Sequence, residues 1–308
     1  MIYTCTLNPA IDLFIDTQEM LSDQVNRTDN YTILANGKGV NVSFILQMLS
    51  VPNTALGVGG GFTNQYIEDT LTEKGIPNNF VHIDGTTRIN VFTRVKKTKE
   101  EFKLVNKGPF VPEEQLEQLF KQMKTFSEED TLVISGSFAR GISPTILTKI
   151  GELSNTKHFK LIIDTSYSVV LDCLKFHPYL IKPNTEEIMH WFQLEQEPSN
   201  SELIEYTHKL IELGAQNVLL SLGGDGAVFT NGNVTLIGNA PVGEVVNTAC
   251  SGDTMLGTFL AGITLQKPLS ENLAYSIAAG SSTAFTAGLT DFKDVPQLLS
   301  QITVKSLV

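Results

Sequence analysis

Strand and helix patterns alternate along the chain from Pro112 onward, and this alternation restricts the fold more than any other feature. Short apolar runs such as Thr131–Ser135 and Lys160–Asp164 predict buried strands, and the amphipathic stretches between them predict helices. Such alternation favours a parallel sheet with helices on both faces, because parallel strands need crossover connections. The other predicted strands cover residues 2–7, 54–61, 179–182, 217–222, 227–230 and 234–237, and the predicted helices cover 63–74, 113–126, 144–153 and 201–213 or begin at 37, 185, 251 and 270.

Two strand-rich stretches interrupt the alternation. Residues 9–35 contain short runs of β-forming residues, and residues 86–107 predict a hairpin with one face in water. We expect these stretches to form a small separate sheet over the carboxyl ends of the main strands, where α/β proteins bind their ligands. Because no repeat, low-complexity tract or linker divides the chain, we predict a single domain over residues 1–308.

Charge and composition argue against several classes of function. The 308 residues carry a formal net charge of −11 and have a sequence pI of about 4.9, whereas nucleic acids and anionic membranes need a basic surface. No apolar run approaches the length of about 18 residues that spans a membrane, and the N-terminus lacks a signal pattern. The three cysteines have no metal-ligand spacing. We therefore expect a cytoplasmic protein with reduced thiols and with neither a nucleic acid nor a membrane as its partner.

A turn of small residues near the end of the chain is the first candidate site. The sequence VNTACSGDTM, residues 246–255, passes from a β-branched run through small residues to Asp253 and then into an apolar helical pattern. A helix that begins there surrounds an anion with backbone N–H groups and places one carboxylate beside it. On this stretch alone, a helix cap is the simpler explanation of Asp253.

Two stretches that follow buried strands suit a nucleotide and its metal ion. Residues 221–226 (SLGGDG) contain three glycines, which let a backbone approach a phosphate closely, although a tight hairpin turn explains them equally well. Asn184 and Glu187 are three residues apart, so on one helical face they offer oxygens to a hydrated Mg²⁺. Alternatively, Asn184 is an N-cap and Glu187 is its capping-box partner. The chain has no P-loop and no dinucleotide fingerprint.

Two cationic stretches are candidates for binding an anionic substrate. Residues 37–41 (GKGVN) place Lys38 and Asn41 at a glycine-lined helix start. Residues 87–90 (TRIN) place Arg88 on the predicted small sheet, where a guanidinium can fork onto a phosphate, although an arginine on an exposed strand is common. An acidic protein that binds anions must concentrate its few cations in one pocket.

The order and spacing of these stretches resemble one family over essentially all 308 residues, the PfkB (ribokinase-like) sugar kinases. Within that family the sequence looks most like the hexose-phosphate branch, which contains 1-phosphofructokinase and tagatose-6-phosphate kinase. The stretch TRINV at 87–91 resembles the fructose-1-phosphate enzymes in particular. The matching stretches are 8–12 (NPAID), 37–41 (GKGVN), 135–137 (SGS), 182–184 (KPN) with Glu187, 221–226 (SLGGDG) and 247–253 (NTACSGD).

The resemblance implies a three-layer α/β/α fold with a central, mostly parallel sheet and a small β-sheet lid at about 9–35 and 86–107, and a homodimer built through the lid. It implies ATP-dependent and Mg²⁺-dependent phosphorylation of a ketohexose phosphate. The first expectation is conversion of fructose 1-phosphate to fructose 1,6-bisphosphate, with tagatose 6-phosphate as the alternative substrate. A non-catalytic phosphosugar or nucleotide sensor stays open as a function of another class, as does a requirement for a monovalent cation.

The resemblance also assigns roles to individual residues. Asp253 matches the catalytic base, and the turn before it, which includes Cys250, Ser251 and Gly252, matches the anion hole. The positions that match phosphosugar contacts are Asp12, Gly37, Lys38, Gly39, Asn41, Arg88, Ser137 and Asp253, with Arg27 as a further phosphate contact. The positions that match the ATP–Mg²⁺ side are Lys182, Asn184, Glu187, Ser221, Gly223, Gly224, Asp225 and Gly226, with Asn184 and Glu187 reaching the metal through water.

Two residues depart from the family pattern. Asn36 stands where the first glycine of Gly-Gly-Lys-Gly is usual, and Cys250 stands where the first glycine of Gly-Ala-Gly-Asp or Gly-Ser-Gly-Asp is usual. A Cβ at Cys250 disfavours a positive φ and crowds the turn. Because Ser251, Gly252 and Asp253 are present, we expect the site to be active.

Overall fold

A ten-stranded sheet forms the centre of the molecule in the computed structural model, which describes residues 1–307. The strands of the chain are β1 (Ile2–Thr6), β2 (Ala10–Thr17), β3 (Asn30–Asn36), β4 (Asn53–Gly59), β5 (Asn78–His82), β6 (Arg88–Val95), β7 (Glu100–Leu104), β8 (Thr131–Ser135), β9 (Lys160–Asp164), β10 (Leu180–Ile181), β11 (Val218–Ser221), β12 (Ala227–Thr230), β13 (Thr235–Gly238) and β14 (Val304–Leu307). The order of the ten strands in the central sheet is β14-β13-β12-β11-β10-β9-β8-β1-β4-β5. The pairs from β11 to β5 are parallel, and those from β11 to β14 are antiparallel.

Helices cover both faces of this sheet, which explains why its central strands are apolar on both sides. In β8, Leu132 and Ile134 belong to one core cluster, whereas Val133 between them belongs to another on the opposite face. Alternate side chains of a strand point to opposite faces, so both sets need a helical layer to bury them. The helices are α1 (Lys38–Met48), α2 (Gly61–Glu73), α3 (Glu113–Met123), α4 (Ile146–Lys157), α5 (Val170–Cys173), α6 (Thr185–Phe192), α7 (Asn200–Glu212), α8 (Ser251–Thr264), α9 (Leu269–Ala284) and α10 (Val295–Leu299).

A second sheet of four strands has the order β3-β2-β6-β7. Its β2–β3 and β6–β7 pairs are antiparallel, and its β2–β6 pair is parallel. These strands come from the two stretches that interrupt the helix–strand alternation in the sequence. The register places Asp12 directly beside Asn90, so both side chains lie on one face of the small sheet.

The predicted layering is confirmed, and the elements that were not predicted are two edge strands of the main sheet and the short helices α5 and α10. Strand β5 and strand β14 were not predicted. The sequence of β5, NNFVH, contains two asparagines, and two of the four residues of β14, VKSL, are polar, so neither has the apolar run of a buried strand. Both are edge strands, where one side of the backbone and part of the side-chain surface face solvent.

None of the helices described within residues 1–307 combines the length and apolar character that crossing a membrane requires.

Candidate active site

A cavity of about 370 Å³ opens between the small sheet and the carboxyl ends of the main strands. Asn8 follows β1 and Ser137 follows β8, while Asp12 and Asn90 extend from the small sheet. The carboxyl ends of parallel strands meet at one edge of a sheet, which is why residues distant in sequence converge here. The residues that line the cavity are Thr6, Asn8, Ala10, Asp12, Asn36, Gly37, Lys38, Arg88, Asn90, Val105, Ser135, Gly136, Ser137, Ser166 and Glu187.

Two lysines beside the cavity share one buried carboxylate, Asp164. The Nζ atoms of Lys182 and Lys38 lie 3.1 Å and 3.2 Å from Asp164 Oδ1. Burial alone would raise the pKa of the Asp164 carboxyl, but the charges of Lys182 and Lys38 outweigh burial and hold that pKa below its ordinary value. Asp164 thus fixes two cations at the site. Asp164 was not among the residues predicted from the sequence, although a buried strand that ends in an acid at the ligand-binding edge was the available signal.

Asp253 lies in the first turn of α8 and is buried. Its Oδ2 atom accepts a hydrogen bond of 2.9 Å from Asn41 Nδ2 on α1. Burial raises the pKa of the Asp253 carboxyl to about 6; Lys38 opposes the shift and the charge of Asp164 adds to it. A carboxylate with such a pKa is ionised at neutral pH and is still basic enough to accept a proton from a reacting hydroxyl.

In the turn before Asp253, Cys250 has a backbone conformation that is typical of glycine. Cys250 has φ 65° and ψ −3°, in the left-handed region that costs an L-residue about 1 kcal/mol. The conflict expected between the Cβ of Cys250 and a positive φ is therefore present as local backbone strain, and the residue adopts the positive φ nonetheless. Ser251 follows with a buried Oγ that has no hydrogen-bond partner in the described chain. A Cβ placed on Gly252 would lie 3.2 Å from Lys182 Nζ, so that ammonium group lies directly against the turn.

Arg88 lines the cavity and is held there by two backbone carbonyl groups. Its Nη2 donates to the carbonyl oxygen of Asn8 at 3.1 Å, and its Nη1 donates to that of Asn106 at 3.3 Å. Its Nε is buried and unpaired within residues 1–307, as are the side-chain hydroxyls of Thr6 and Ser135. Buried polar atoms normally have partners, so unpaired ones that line a cavity indicate that a polar ligand completes them. Ser137 lies nearby and accepts a hydrogen bond of 3.1 Å from Asn8 Nδ2.

Asn184 and Glu187 form the capping box that the sequence left as an alternative to a metal site. Asn184 Oδ1 accepts from the Glu187 N–H at 2.8 Å, and Glu187 Oε2 accepts from the Asn184 N–H at 3.0 Å. This arrangement leaves Glu187 Oε1 outside the capping box, and Glu187 also lines the cavity. Burial is the main reason that the pKa of the Glu187 carboxyl is raised, with the charge of Asp164 adding to it. The cap and a water-mediated metal contact are therefore compatible.

The glycines of the 221–226 loop have two different environments. Nothing lies within 4 Å of a Cβ built on Gly223 or Gly224, so their backbone faces open space. By contrast, Gly226 has φ 106°, and a Cβ there would lie 2.0 Å from the carbonyl oxygen of Gly238. Gly226 is thus required by the turn between β11 and β12, as the hairpin interpretation predicted. Ser221 pairs with Asn184 in an isolated β-bridge, which joins this loop to the capping box, and Asp225 is exposed.

Three other predicted residues have locations that bear on their roles. Gly37 has φ 136°, and a Cβ on Gly39 would lie 2.5 Å from Thr6 Oγ1, so both glycines let the start of α1 pack closely on β1. Arg27 lies on the exposed loop between β2 and β3 and does not line the cavity. Its role as a phosphate contact stays a prediction.

Comparison with known proteins gives the family. The sequence model of the pfkB family carbohydrate kinases matches residues 5–296. The chain belongs to this family. Kinases of the family use ATP with a divalent metal ion. Because the relatives that match the whole chain are named as kinases of sugar phosphates, the protein is a phosphotransferase that acts on a sugar phosphate. The resemblance inferred from the sequence motifs is confirmed.

Individual relatives cover the whole chain. D-tagatose-1-phosphate kinase of Bacillus licheniformis is 44% identical, and 1-phosphofructokinase of Bacillus subtilis is 34% identical, each over 100% of both chains. The crystal structure of Escherichia coli phosphofructokinase-2 in complex with fructose-6-phosphate is 24% identical and matches with a TM-score of 0.87, covering 97% of this chain and 98% of that one. The last comparison shows that the ribokinase-like α/β fold is shared.

Proposed function

We propose that this kinase transfers the γ-phosphoryl group of ATP to the 6-hydroxyl of a ketohexose 1-phosphate. Fructose 1-phosphate, which would give fructose 1,6-bisphosphate, is the substrate expected from the sequence. The observation that carries the proposal is the cavity, because its lining combines carboxylate and amide groups suited to sugar hydroxyls with unpaired donors suited to a phosphate. Asp253 is joined to this lining through Asn41, whose amide donates to both Asn36 and Asp253. D-Tagatose 1-phosphate is the second candidate, favoured by the 44% identity to a kinase named for that sugar.

The substrate's existing phosphate would bind at the Arg88 side of the cavity. The unpaired Nε of Arg88 and the Lys38 ammonium supply positive charge, and Ser137 supplies a hydroxyl. Charge-assisted hydrogen bonds of this kind are stronger than neutral ones, so they explain how a protein of net charge −11 binds an anionic sugar. Asp12, on the small sheet, would accept hydrogen bonds from hydroxyls of the sugar.

Asp253 would act as the general base. As the 6-hydroxyl oxygen forms its bond to the γ-phosphorus, the bond from that phosphorus to the β,γ-bridging oxygen breaks, the hydroxyl proton passes to Asp253, and ADP leaves with the bridging oxygen. The Asn41 amide orients the carboxylate through its hydrogen bond of 2.9 Å. The backbone N–H groups of Cys250 to Asp253, the start of α8 and the Lys182 ammonium would stabilise charge on the phosphoryl oxygens.

ATP would lie along the 221–226 loop, where the open backbone of Gly223 and Gly224 leaves room for it. The residues present fit a hydrated Mg²⁺, since Glu187 keeps one carboxylate oxygen outside its capping box. When bound, Mg²⁺ neutralises charge on the ATP phosphates. Closure of the small sheet as a lid would exclude water from the site and so limit hydrolysis of ATP.

A coupled ADP-release assay with fructose 1-phosphate, D-tagatose 1-phosphate, tagatose 6-phosphate and fructose 6-phosphate tests the proposal. We expect turnover with a 1-phosphate and at most weak turnover with either 6-phosphate. The highest kcat/KM with a 6-phosphate would contradict the proposed substrate class. Binding of these sugars without ADP release would instead support the sensor hypothesis, against which the buried Asp253 and its hydrogen bond to Asn41 already argue.

We also propose that two copies associate through their small sheets. The face opposite Asp12 carries apolar side chains that are well exposed, with Tyr31 at 67%, Leu104 at 61% and Ile33 at 41%. Exposed apolar patches of this kind mark association surfaces. Light scattering should give the mass of a dimer, and Ile33→Glu should give a monomer; a monomeric wild-type protein at micromolar concentration would contradict this assembly.

A further inference from the structure

The two residues that depart from the family's glycine pattern lie next to each other in the folded molecule. Asn36 ends strand β3 of the small sheet, and Cys250 is the N-cap of α8 on the main sheet. Although 214 positions separate them in the chain, Asn36 Nδ2 lies 3.8 Å from Cys250 Sγ. Asn36 contacts Asp12, on the proposed sugar side, and both Asn36 and Cys250 contact Asn41, the residue that binds Asp253, the proposed base.

Asn36 uses its whole hydrogen-bonding capacity within the protein. Its Oδ1 accepts from the Gly37 N–H at 2.5 Å and from Asn41 Nδ2 at 2.8 Å. Its Nδ2 donates to Asp12 Oδ2 and faces the Cys250 sulfur. A side chain in this position is rigid and has no donor left for a sugar, so it acts on a substrate only through the groups that it holds.

The group that Asn36 holds most directly is the Asp12 carboxylate. Asn90 Nδ2 donates to the other oxygen, Asp12 Oδ1, at 2.8 Å. Asp12 is therefore fixed at both oxygens, and each oxygen keeps a lone pair with a defined direction. With glycine at position 36, only the contact from Asn90 would remain, and the carboxylate could rotate to follow a differently placed hydroxyl.

Cys250 fills space that a glycine would leave empty. Its Sγ lies 3.2 Å from Asn41 Nδ2, the amide nitrogen whose two hydrogens are directed to Asn36 Oδ1 and Asp253 Oδ2. Burial, followed by the charges of Asp253 and Asp12, raises the pKa of the Cys250 thiol to about 12, so the group is a neutral thiol close to both carboxylates. It narrows the space between the sugar-binding carboxylate and the base.

We propose that Asn36 and Cys250 are specificity-determining residues, which fix the direction of Asp12 and narrow the space beside it so that only one arrangement of ketohexose hydroxyls fits. The proposal rests on the proposed function. A fixed acceptor rejects a sugar that cannot supply its hydrogen bond, because a buried polar group is then left unpaired. Fructose and tagatose differ in the configuration of a single hydroxyl, at C4, and so give the sharpest test.

The experiment compares kcat/KM for fructose 1-phosphate and D-tagatose 1-phosphate in the wild-type enzyme and in the N36G, C250G and N36G/C250G variants. We expect the wild type to have a higher kcat/KM for one of the two sugars. In the double variant, the ratio of the two kcat/KM values should fall by about ten-fold or more, because kcat/KM for the other sugar rises relative to that for the preferred one. The matched control is H158G, which removes a positive-φ side chain (φ 64°) at an exposed helix end and should leave the preference unchanged. Thermal unfolding of each variant verifies folding, and N36S replaces N36G if N36G does not fold.

Three outcomes would overturn the proposal. One is a double variant that retains the wild-type ratio of kcat/KM values within two-fold, including the case in which kcat/KM falls by the same factor for both sugars. A merely structural role of Asn36 and Cys250 would give that result. Another is a wild-type enzyme that uses both sugars equally well. Absence of turnover with either sugar in the wild type would overturn the proposed function itself, and this is visible before any variant is made.

Discussion

Replacing Asp164 with Asn should destabilise the protein strongly, because the buried Lys182 ammonium would lose its countercharge. Asp164 and Lys182 are 0% and 3% exposed and lie 3.1 Å apart, and removing one partner of such a pair costs about 3–5 kcal/mol. Lys38, at 37% exposure, adds less than about 1 kcal/mol, since solvent screens it. At roughly 2 °C per kcal/mol for a chain of this size, the midpoint of thermal unfolding should fall by about 6–10 °C.

The assay is thermal unfolding followed by circular dichroism at pH 7 without ligands. The matched control is D16N, which removes an acid from the exposed Asp16–Arg94 pair and should change the free energy of unfolding by at most about 1 kcal/mol. Because the pKa of Asp164 is lowered in the fold, its stabilisation is present at pH 7 and is lost as the pH falls through that lowered pKa. The difference between wild type and D164N should therefore shrink in acid. A D164N midpoint no lower than that of D16N would refute the reasoning.

Three further predictions concern the proposed reaction. Asp253→Asn should lower kcat by about 10²–10⁴-fold, while the Kd for ATP, measured by calorimetry, should change little. Because the pKa of Asp253 is raised to about 6, kcat/KM of the wild-type enzyme should fall as the pH drops below about 6. A kcat/KM that does not change with pH in this range would contradict the role of Asp253 as the base. Arg88→Ala should chiefly raise KM for the phosphosugar in initial-rate assays, and an unchanged KM would exclude Arg88 from the phosphate site. Gly226→Ala should lower the thermal midpoint because its Cβ meets the Gly238 carbonyl, whereas Gly224→Ala should fold normally and raise KM for ATP; equal midpoints for the wild type and both glycine variants would contradict the packing argument.

The layered fold was predictable because its signals are local. Strand β9 shows this, since its apolar run and the helix patterns on either side already require a buried parallel strand. Edge strand β5 was not predictable in the same way, because its asparagines obscure the pattern.

The sequence predicted several residues of the candidate site, but it did not predict the hydrogen bonds and ion pairs that join them. Asp253 and Lys38 were found because they stand in motifs with a characteristic order along the whole chain. The contact of Asn36 with Cys250 and the bond of Asn41 to Asp253 join residues more than 200 positions apart, and no local signal specifies such pairs. Asp164 lies outside the sequence motifs, and its importance comes from Lys38 and Lys182, which only the fold brings to it.

The small sheet consists of two separate stretches of chain, so it is attached to the main body at four crossings, before β2, after β3, before β6 and after β7. The two stretches cannot move apart without breaking the ladder between β2 and β6, which joins them at the centre of this sheet. We therefore expect it to open as one cooperative unit. In hydrogen exchange, the amides of β2, β3 and β6 should exchange with a common opening free energy, below that of the central strands.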